Sequence, residues 1–107
     1  MNENMVQMMG KLQRFQADMA KMQAELKTRT VEATAGEGAV IVTVDGQQQI
    51  VSIQISPEAM TEENTTQVQN WLIIAVNGAL SKAQELVKTE MEKLTRDMNL
   101  PNIPGLF

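Results

Sequence analysis

The sequence predicts an α+β fold in which a long helix is followed by a three-stranded antiparallel meander and then by a second long helix. Three observations favour this order. The opening segment has apolar residues at helical spacing, the central segment alternates apolar and polar residues, and an apolar run then returns to helical spacing. At 107 residues the chain has the length of one domain.

A heptad pattern of apolar side chains predicts the first helix. The spacings alternate between three and four residues, and the positions are Met5, Met8, Leu12, Phe15, Met19, Met22 and Leu26. A helix from Asn4 to Lys27 is roughly 36 Å long, and its apolar seam needs a packing partner. Methionine packs adaptably, so core packing is preferred here over a methionine-based metal or ligand site.

The central segment is predicted to form three strands. Asp45-Gly46 is a hairpin signal, because glycine accepts the positive φ that such turns require. Gly36 and Gly38 are expected to turn the first strand into the second. The alternation in the third strand places three apolar side chains on one face, namely Val51, Ile53 and Ile55.

The second helix is predicted to run to about Asp97, with Thr61 as its N-cap and two glutamates in its first turn. Its first half, "WLIIAVNGAL", is apolar nearly all round, which indicates burial against the sheet. Asn77 within that run is expected to be a buried amide that hydrogen-bonds the backbone or defines the register of a dimer.

Two prolines, Pro101 and Pro104, prevent the second helix from continuing to the end of the sequence. We therefore expect one domain over residues 1–98 and a flexible Pro/Gly tail over 99–107. Because three strands span about 20 Å, both helices must project past the sheet. Projecting amphipathic helices are unstable alone, and a second copy of the chain is the simplest partner.

Charge is distributed unevenly along this acidic chain, whose net charge is −4. Up to Arg29 there are five basic and three acidic residues, from Thr30 to Ser81 six acidic and no basic residues, and from Lys82 onward four of each. All the positive charge therefore belongs to the helical segments.

The basic residues have two interpretations. Lys11, Arg14 and Lys21 fall near one face of the first helix, and such patches bind backbone phosphates without reading base sequence. Alternatively they belong to a solvated helix face with ion pairs at i,i+4 spacing. The three candidate pairs are Arg14–Asp18, Lys21–Glu25 and Glu92–Arg96.

Catalytic and metal-binding constellations are not found in the sequence. With no His, Cys or Tyr, the chain lacks the commonest general base, the usual metal ligand and any thiolate chemistry. "GEG" at residues 36–38 lacks the lysine and helix of a phosphate-binding loop. We expect no enzyme activity, cofactor, metal or membrane span, and a cytoplasmic location.

Several segments together resemble the YbaB/EbfC family of small bacterial nucleoid-associated proteins. "MMGKLQRFQADMAKMQAEL" is similar to the family's first helix, and "GEGAVIVTVDGQQQIVSIQIS" to its glycine pair, strands and turn. "WLIIAVNGALSKAQE" resembles its second helix, although Gly78 stands where the family often has an acidic residue. "LPNIPGLF" resembles its Pro/Gly-rich tail.

The resemblance implies an intertwined homodimer in which sheets and second helices meet and helical arms project like tweezers. It assigns to the dimer interface Val51, Ile53, Trp71, Leu72, Ala75, Asn77 and Ala79. It also implies a location in the nucleoid and binding, bending or compaction of duplex DNA, which would influence expression. The expected DNA-binding residues are Lys11, Arg14, Lys21, Lys27, Arg29, Lys82, Lys88, Lys93 and Arg96.

A second hypothesis remains open beside DNA binding with little sequence specificity. Soft, methionine-rich surfaces can grip varied apolar partners. The chain is then a dimeric adaptor that binds a protein partner through its methionine-rich arms. The two hypotheses differ in their salt dependence, since only phosphate binding weakens steeply as salt rises.

Overall fold

The computed structural model describes residues 3–97 and confirms the predicted order of helix, three strands and helix. The elements are helix α1 (Glu3–Thr28), strands β1 (Thr30–Ala35), β2 (Val40–Asp45) and β3 (Ile50–Ile55), and helix α2 (Thr65–Asp97). The strands form one antiparallel sheet in the order β1-β2-β3. The proposed tail at 99–107 lies outside the described residues.

The core is a close contact between the alanine face of α2 and the inner face of the sheet. Helix α2 lies over β1 and β2. The fully buried side chains at this contact are Val40, Val42 and Val44 of β2 and Ala75, Ala79 and Ala83 of α2. Gly78 lies so near β1 that a Cβ on it would stand 3.1 Å from the Cβ of Ala33. Small residues therefore set the distance between helix and sheet.

Strand β3 contains a bulge that changes which side chains face the core. Thr43 pairs with Ser52, whereas the next residue, Val44, pairs with Ile50, so that Val51 is an extra residue on β3. Two residues opposite one are the signature of a β-bulge. The bulge changes the face of Ile50: it lies opposite the inward-facing Val44, on the same face as Ile53, whereas strict alternation predicts that it shares the other face with Ser52.

Gly46 is required in the β2–β3 turn for a different reason from the one predicted. The residue with positive φ in this turn is Gln48 (65°). The Gly46 amide instead donates to the carbonyls of Leu26 (2.9 Å) and Arg29 (3.0 Å) at the end of α1. A Cβ on Gly46 would stand 2.6 Å from the Leu26 carbonyl oxygen. Glycine here permits the turn to contact the end of α1.

Helix α2 begins later than predicted. Two short 3-10 turns, Pro57–Ala59 and Glu62–Asn64, precede it, and the α-helix starts at Thr65. The Thr61 side chain makes no capping hydrogen bond. Instead, the Thr65 hydroxyl donates to the Glu62 carbonyl at 3.0 Å. Thr61 therefore begins the second 3-10 turn, and that turn separates it from α2.

The second halves of the two helices pack against each other in a stem, formed by residues 18–28 of α1 with Arg29 after it and by residues 86–97 of α2. Met22, Leu26 and Met91 are its buried centre. At the edge of the stem Arg29 Nη1 lies 3.0 Å and Lys93 Nζ 3.3 Å from Glu90 Oε1. Both hydrogen bonds lower the pKa of Glu90 below its usual value, and the one from Arg29 has the larger effect.

The first half of α1 projects past the end of α2 as an arm, formed by residues 4–17. Residues 4–14 are all exposed; Met8 is 65% and Leu12 53% exposed. The heptad seam is therefore buried only in the stem. The described chain measures 72 × 24 × 15 Å, which confirms the prediction that the helices outreach the sheet.

We expect Gly36→Ala to destabilise the fold by about 2–4 kcal/mol, because it combines a positive φ with overpacking. Gly36 has a φ of +65°, and a Cβ there would stand 2.5 Å from the Trp71 ring. Gly38→Ala is the matched control, since its φ is +87° but nothing lies within 4 Å. Urea unfolding, followed by the fluorescence of the single tryptophan, measures the free energy of unfolding of both variants. Equal losses of stability in the two variants would contradict the Trp71 contact.

We expect Glu90→Gln to lower the free energy of unfolding at pH 7 by less than about 1 kcal/mol, because the ion pairs are solvent-exposed. The pKa of Glu90 is lower in the folded state than its ordinary value of 4.5. The stabilisation is therefore complete above that value and is lost as pH falls through the folded pKa. Urea unfolding curves of wild type and variant should differ at pH 7 and converge once the pH lies below the folded-state pKa of Glu90.

Glu92→Gln is the control for this experiment, because Glu92 is exposed on the same helix and makes no ion pair within residues 3–97. We expect it to change the free energy of unfolding by no more than about 0.5 kcal/mol. A difference between Glu90→Gln and wild type that persists unchanged into acid would rule out this role for the ion pairs.

Candidate nucleic-acid interface

The nine basic residues all lie on the two helices or at Arg29, directly after α1, and none lies on the sheet. The strands and the connections up to the start of α2, from Thr30 to Asn64, instead carry six acidic residues. The fold keeps these two parts apart, since the sheet forms one end of the elongated molecule and the arm continues from the stem at the other. An acidic chain thus has a positively charged region that is spatially separate.

Three of the predicted DNA-binding residues are engaged within the chain. Arg29 and Lys93 bind Glu90, and Lys82 Nζ donates to the Glu32 carbonyl at 2.7 Å, which ties α2 to β1. The other six are exposed and make no ion pair within residues 3–97; they are Lys11, Arg14, Lys21, Lys27, Lys88 and Arg96. These six are available to an anionic ligand.

Within residues 3–97 the basic residues do not form the i,i+4 ion pairs that the alternative interpretation predicts. Over residues 3–97 the salt bridges are those of Glu90 with Arg29 and Lys93. An exposed pair at i,i+4 contributes only about 0.3–0.5 kcal/mol net of the side-chain entropy lost, so such pairs are only weakly favoured over solvation of the separate charges. The three candidate pairs that do not form are Arg14–Asp18, Lys21–Glu25 and Glu92–Arg96.

The arm and the stem differ in local charge. Residues 4–17 include Lys11 and Arg14 and no acidic residue. In the stem, Lys21 adjoins an open groove of about 280 Å³ between the helices, whose carboxylates are Asp18, Glu25, Glu90 and Asp97. The potential that would attract a polyanion is therefore most positive on the arm and is offset in the stem.

The structure separates the predicted dimer-interface residues into three groups. Val51 and Ile53 are exposed on β3, and Trp71 and Leu72 are half-buried where α2 meets the sheet. Ala75 and Ala79 are fully buried in the chain's own core, so they present no surface to a second chain in this fold. Their small side chains face β2 because α2 approaches it closely.

Asn77 is exposed, so the expectation of a buried amide is wrong within the single chain. It lies on the face of α2 that points away from the sheet, since the buried alanines before and after it are two residues distant along the helix. The expectation that Asn77 defines the register of a dimer stays a prediction.

Three exposed apolar residues near the sheet are not anticipated by the sequence pattern. Ile73 and Ile74 on α2 are 60% and 59% exposed, and Ile50 on β3 is 48% exposed. The nearly all-round apolar character of "WLIIAVNGAL" is the signal that could have found the two on α2. It predicts burial of the whole segment, but one sheet covers only one side of a helix.

Residues 3–97 contain no cluster of three or more metal-ligating side chains. Across the same residues, neither helix combines the length and the apolarity that crossing a bilayer requires. The features that the described chain offers to a partner are therefore its exposed basic residues and its exposed apolar faces.

Comparison with known proteins agrees with the resemblance drawn from the sequence. The chain is 52% identical over 107 residues to a nucleoid-associated protein of Desulforamulus reducens and 48% identical over 107 residues to one of Pelotomaculum thermopropionicum, covering 100% of this chain and 99% of each relative. The fold is shared with an uncharacterized protein of Helicobacter pylori at a TM-score of 0.74 and 21% identity, over 88% of this chain and 97% of that one. The family model of the YbaB/EbfC DNA-binding family matches residues 1–98. The chain therefore belongs to the YbaB/EbfC DNA-binding family.

Proposed function

We propose that the protein is a dimeric, nucleoid-associated DNA-binding protein that holds duplex DNA through the basic residues of its arms and stems. The observation that carries this proposal is the arm, which projects from the molecule with Lys11 and Arg14 exposed and with no acidic residue between Glu3, at the start of α1, and Asp18. Family membership and the names of its relatives support DNA as the ligand and the nucleoid as the location.

The proposed contacts are with phosphates. Lysine and arginine side chains on an exposed helix can follow the DNA backbone whatever the base sequence. A helix with side chains is about 10–12 Å across, which is close to the width of the major groove, so an arm could lie along that groove. Affinity would then depend on charge, and sequence preference would be weak.

The proposed dimer forms through the uncovered part of the sheet. Helix α2 lies over β1 and β2, so the inner face of β3 is left open, with Ile50 48% and Ile53 46% exposed. Ile53 pairs with the fully buried Val42, which makes the open surface a continuation of the core. A second copy offers the same surface, and a twofold axis would cover both.

Two arms fixed to one dimer supply the bending or compaction in this proposal. DNA that contacts both arms has to follow their separation and direction, and the deformation energy comes from the added phosphate contacts. An influence on expression would follow from the altered path of the DNA. The proposal assigns no such role to the sheet, because the sheet carries no basic residue.

The second candidate function is the adaptor that binds a protein partner. It is favoured by the exposure of Met8 (65%) and Met9 (50%) on the arm, since exposed methionines suit adaptable apolar contacts. Binding by such a surface should change little between low and near-physiological salt, whereas phosphate binding should weaken steeply.

For DNA binding we expect the triple variant Lys11→Gln, Arg14→Gln, Lys21→Gln to weaken the binding of a labelled duplex. Fluorescence anisotropy over a range of salt concentrations measures the effect. The slope of log K against log[salt] should fall in magnitude by about 0.9 for each phosphate that the variant no longer neutralises. The substituted residues are on the surface, so stability should change little.

The control lowers the net charge by the same three units at exposed sites away from the arms, through Thr34→Glu, Gln54→Glu and Gln67→Glu. We expect it to keep most of the affinity and the wild-type slope. If the two triple variants lose affinity equally, the effect belongs to net charge and the arm is not the binding surface.

For the dimer we expect Ile53→Asp to convert the protein to the mass of a single chain in light scattering, because it places a carboxylate in the proposed apolar interface. Val6→Asp is the control, since Val6 is 57% exposed on the arm, far from β3. Trp71 fluorescence shows that each variant is folded. A two-chain mass for Ile53→Asp would contradict this interface.

A further inference from the structure

An apolar groove lies at the end of the sheet that is farthest from the arm. Its volume is about 380 Å³, and its apolar lining residues are Ile55, Ala59, Met60 and Val68. Ile55 pairs with Val40, the first residue of β2, whereas β2 ends at the turn that contacts the end of α1. The groove and the stem are therefore at opposite ends of the strands. Met60 is 63% exposed, so the described chain leaves the groove open to a partner.

The rim of the groove is acidic. Glu62 lines it, and Glu58 and Glu63 are direct sequence neighbours of lining residues. All three glutamates are exposed. Because no basic residue occurs between Thr30 and Ser81, the neighbouring segments supply no positive charge to balance them. A well-matched occupant therefore combines apolar side chains with positive charge.

The arm has both of these properties. Met8 and Leu12 of its seam are 65% and 53% exposed, and residues 4–17 carry basic but no acidic side chains. At 3.6 residues per turn, Lys11 and Arg14 lie on the same side of the seam. When the seam faces an apolar surface, both basic side chains are therefore directed towards one edge of that surface.

Only the arm of another chain can reach the groove. The described chain is 72 Å long, and its own arm is at the opposite end. A second copy supplies an arm at the same concentration as the groove. Contacts of arm with arm or of groove with groove place like charges together, which is destabilising, so charge favours the contact of an arm with a groove.

We propose that this groove binds the arm of a second copy of the chain, head to tail, with Met8 and Leu12 against its apolar lining. Lys11 is then beside the carboxylate of Glu62. The apolar side chains on both surfaces leave water, and the opposite charges fix the orientation of the arm.

The contact joins two different surfaces, so it does not close on itself as a twofold contact does and extends from copy to copy. It also occupies Lys11 and Arg14. If the arm binds DNA as proposed above, DNA and the groove compete for it; this consequence rests on the proposed function, whereas the contact itself does not.

Light scattering of the full-length chain tests the proposal. The groove variant is Glu58→Gln, Glu62→Gln, Glu63→Gln, and the matched control is Glu32→Gln, Glu85→Gln, Glu92→Gln. All six glutamates are exposed, and each variant makes the net charge of −4 less negative by three units. The general repulsion between chains is thus the same in both variants, and only the groove variant removes the acidic rim.

For wild type and control we expect the weight-average mass at about 0.01 M salt to be at least about twice that at about 1 M, since one head-to-tail contact between equal units doubles the mass and salt screens it. The groove variant should have the same mass at both concentrations. A wild-type mass that does not change with salt, or equal behaviour of the two variants, would overturn the proposal. Failure of the apolar β3 dimer would show separately, as a single-chain mass at 1 M salt.

Disulfide trapping identifies the two surfaces directly, because the natural sequence has no cysteine. A Met60→Cys chain is mixed with a Met8→Cys chain that carries a mass tag, and the control partner is a tagged Gly10→Cys chain. Gly10 is two residues from Met8 on the opposite side of the helix, where an added Cβ meets open space. Mild oxidation is followed on non-reducing gels.

At low salt we expect the mixed disulfide to form at least about tenfold faster with Met8→Cys than with Gly10→Cys, because a disulfide requires Cα atoms less than about 7 Å apart. Equal rates with the two partners would contradict the placement of the seam in the groove. A fast mixed disulfide whose rate is unchanged at about 1 M salt would also overturn the proposal, because charge would then have no part in the contact.

Discussion

The contact of α2 with the inner face of β2 is the constraint on which the rest of the structure depends. Valines on the strand meet alanines on the helix, and all six side chains are fully buried. Because alanine is short, the helix axis lies close to the sheet, and the direction of α2 is defined over its first half. The second half then continues straight past the sheet, since 33 residues form one helix of about 50 Å.

That direction explains the position of α1. The turn after β2 approaches the end of α1 so closely that only glycine fits at residue 46, and its amide binds two carbonyls there. Leu26 and Met22 then pack on α2, with Glu90 holding Arg29 at the rim. The stem is thus built on the sheet, and the arm extends in the direction that the stem defines.

Much of this fold is predictable from the sequence, because heptad and alternating patterns report directly on helices and strands. The failures have physical causes. The bulge at Val51 depends on pairing with β2, which alternation within one strand does not contain. Gly46 is recognisable as a turn residue, but the reason for glycine there is a contact with α1 that is distant in sequence. The side of α2 on which Asn77 lies follows from the alanine contact, and free basic residues cannot be told from paired ones by spacing alone.

The acidic net charge and the proposed binding of a polyanion are compatible because of the distances within the fold. About 24 Å of helix separate Arg14 from Thr30, where the acidic part of the chain begins. The Debye length is about 8 Å at physiological salt, so the acidic residues of the sheet are screened at the arm, and the arm carries only basic charge over residues 4–17. At about 0.01 M salt the Debye length grows to about 30 Å, and the sheet then opposes the arm. Net charge therefore describes this chain poorly, and the position of each charge along the stem and arm decides what the molecule attracts.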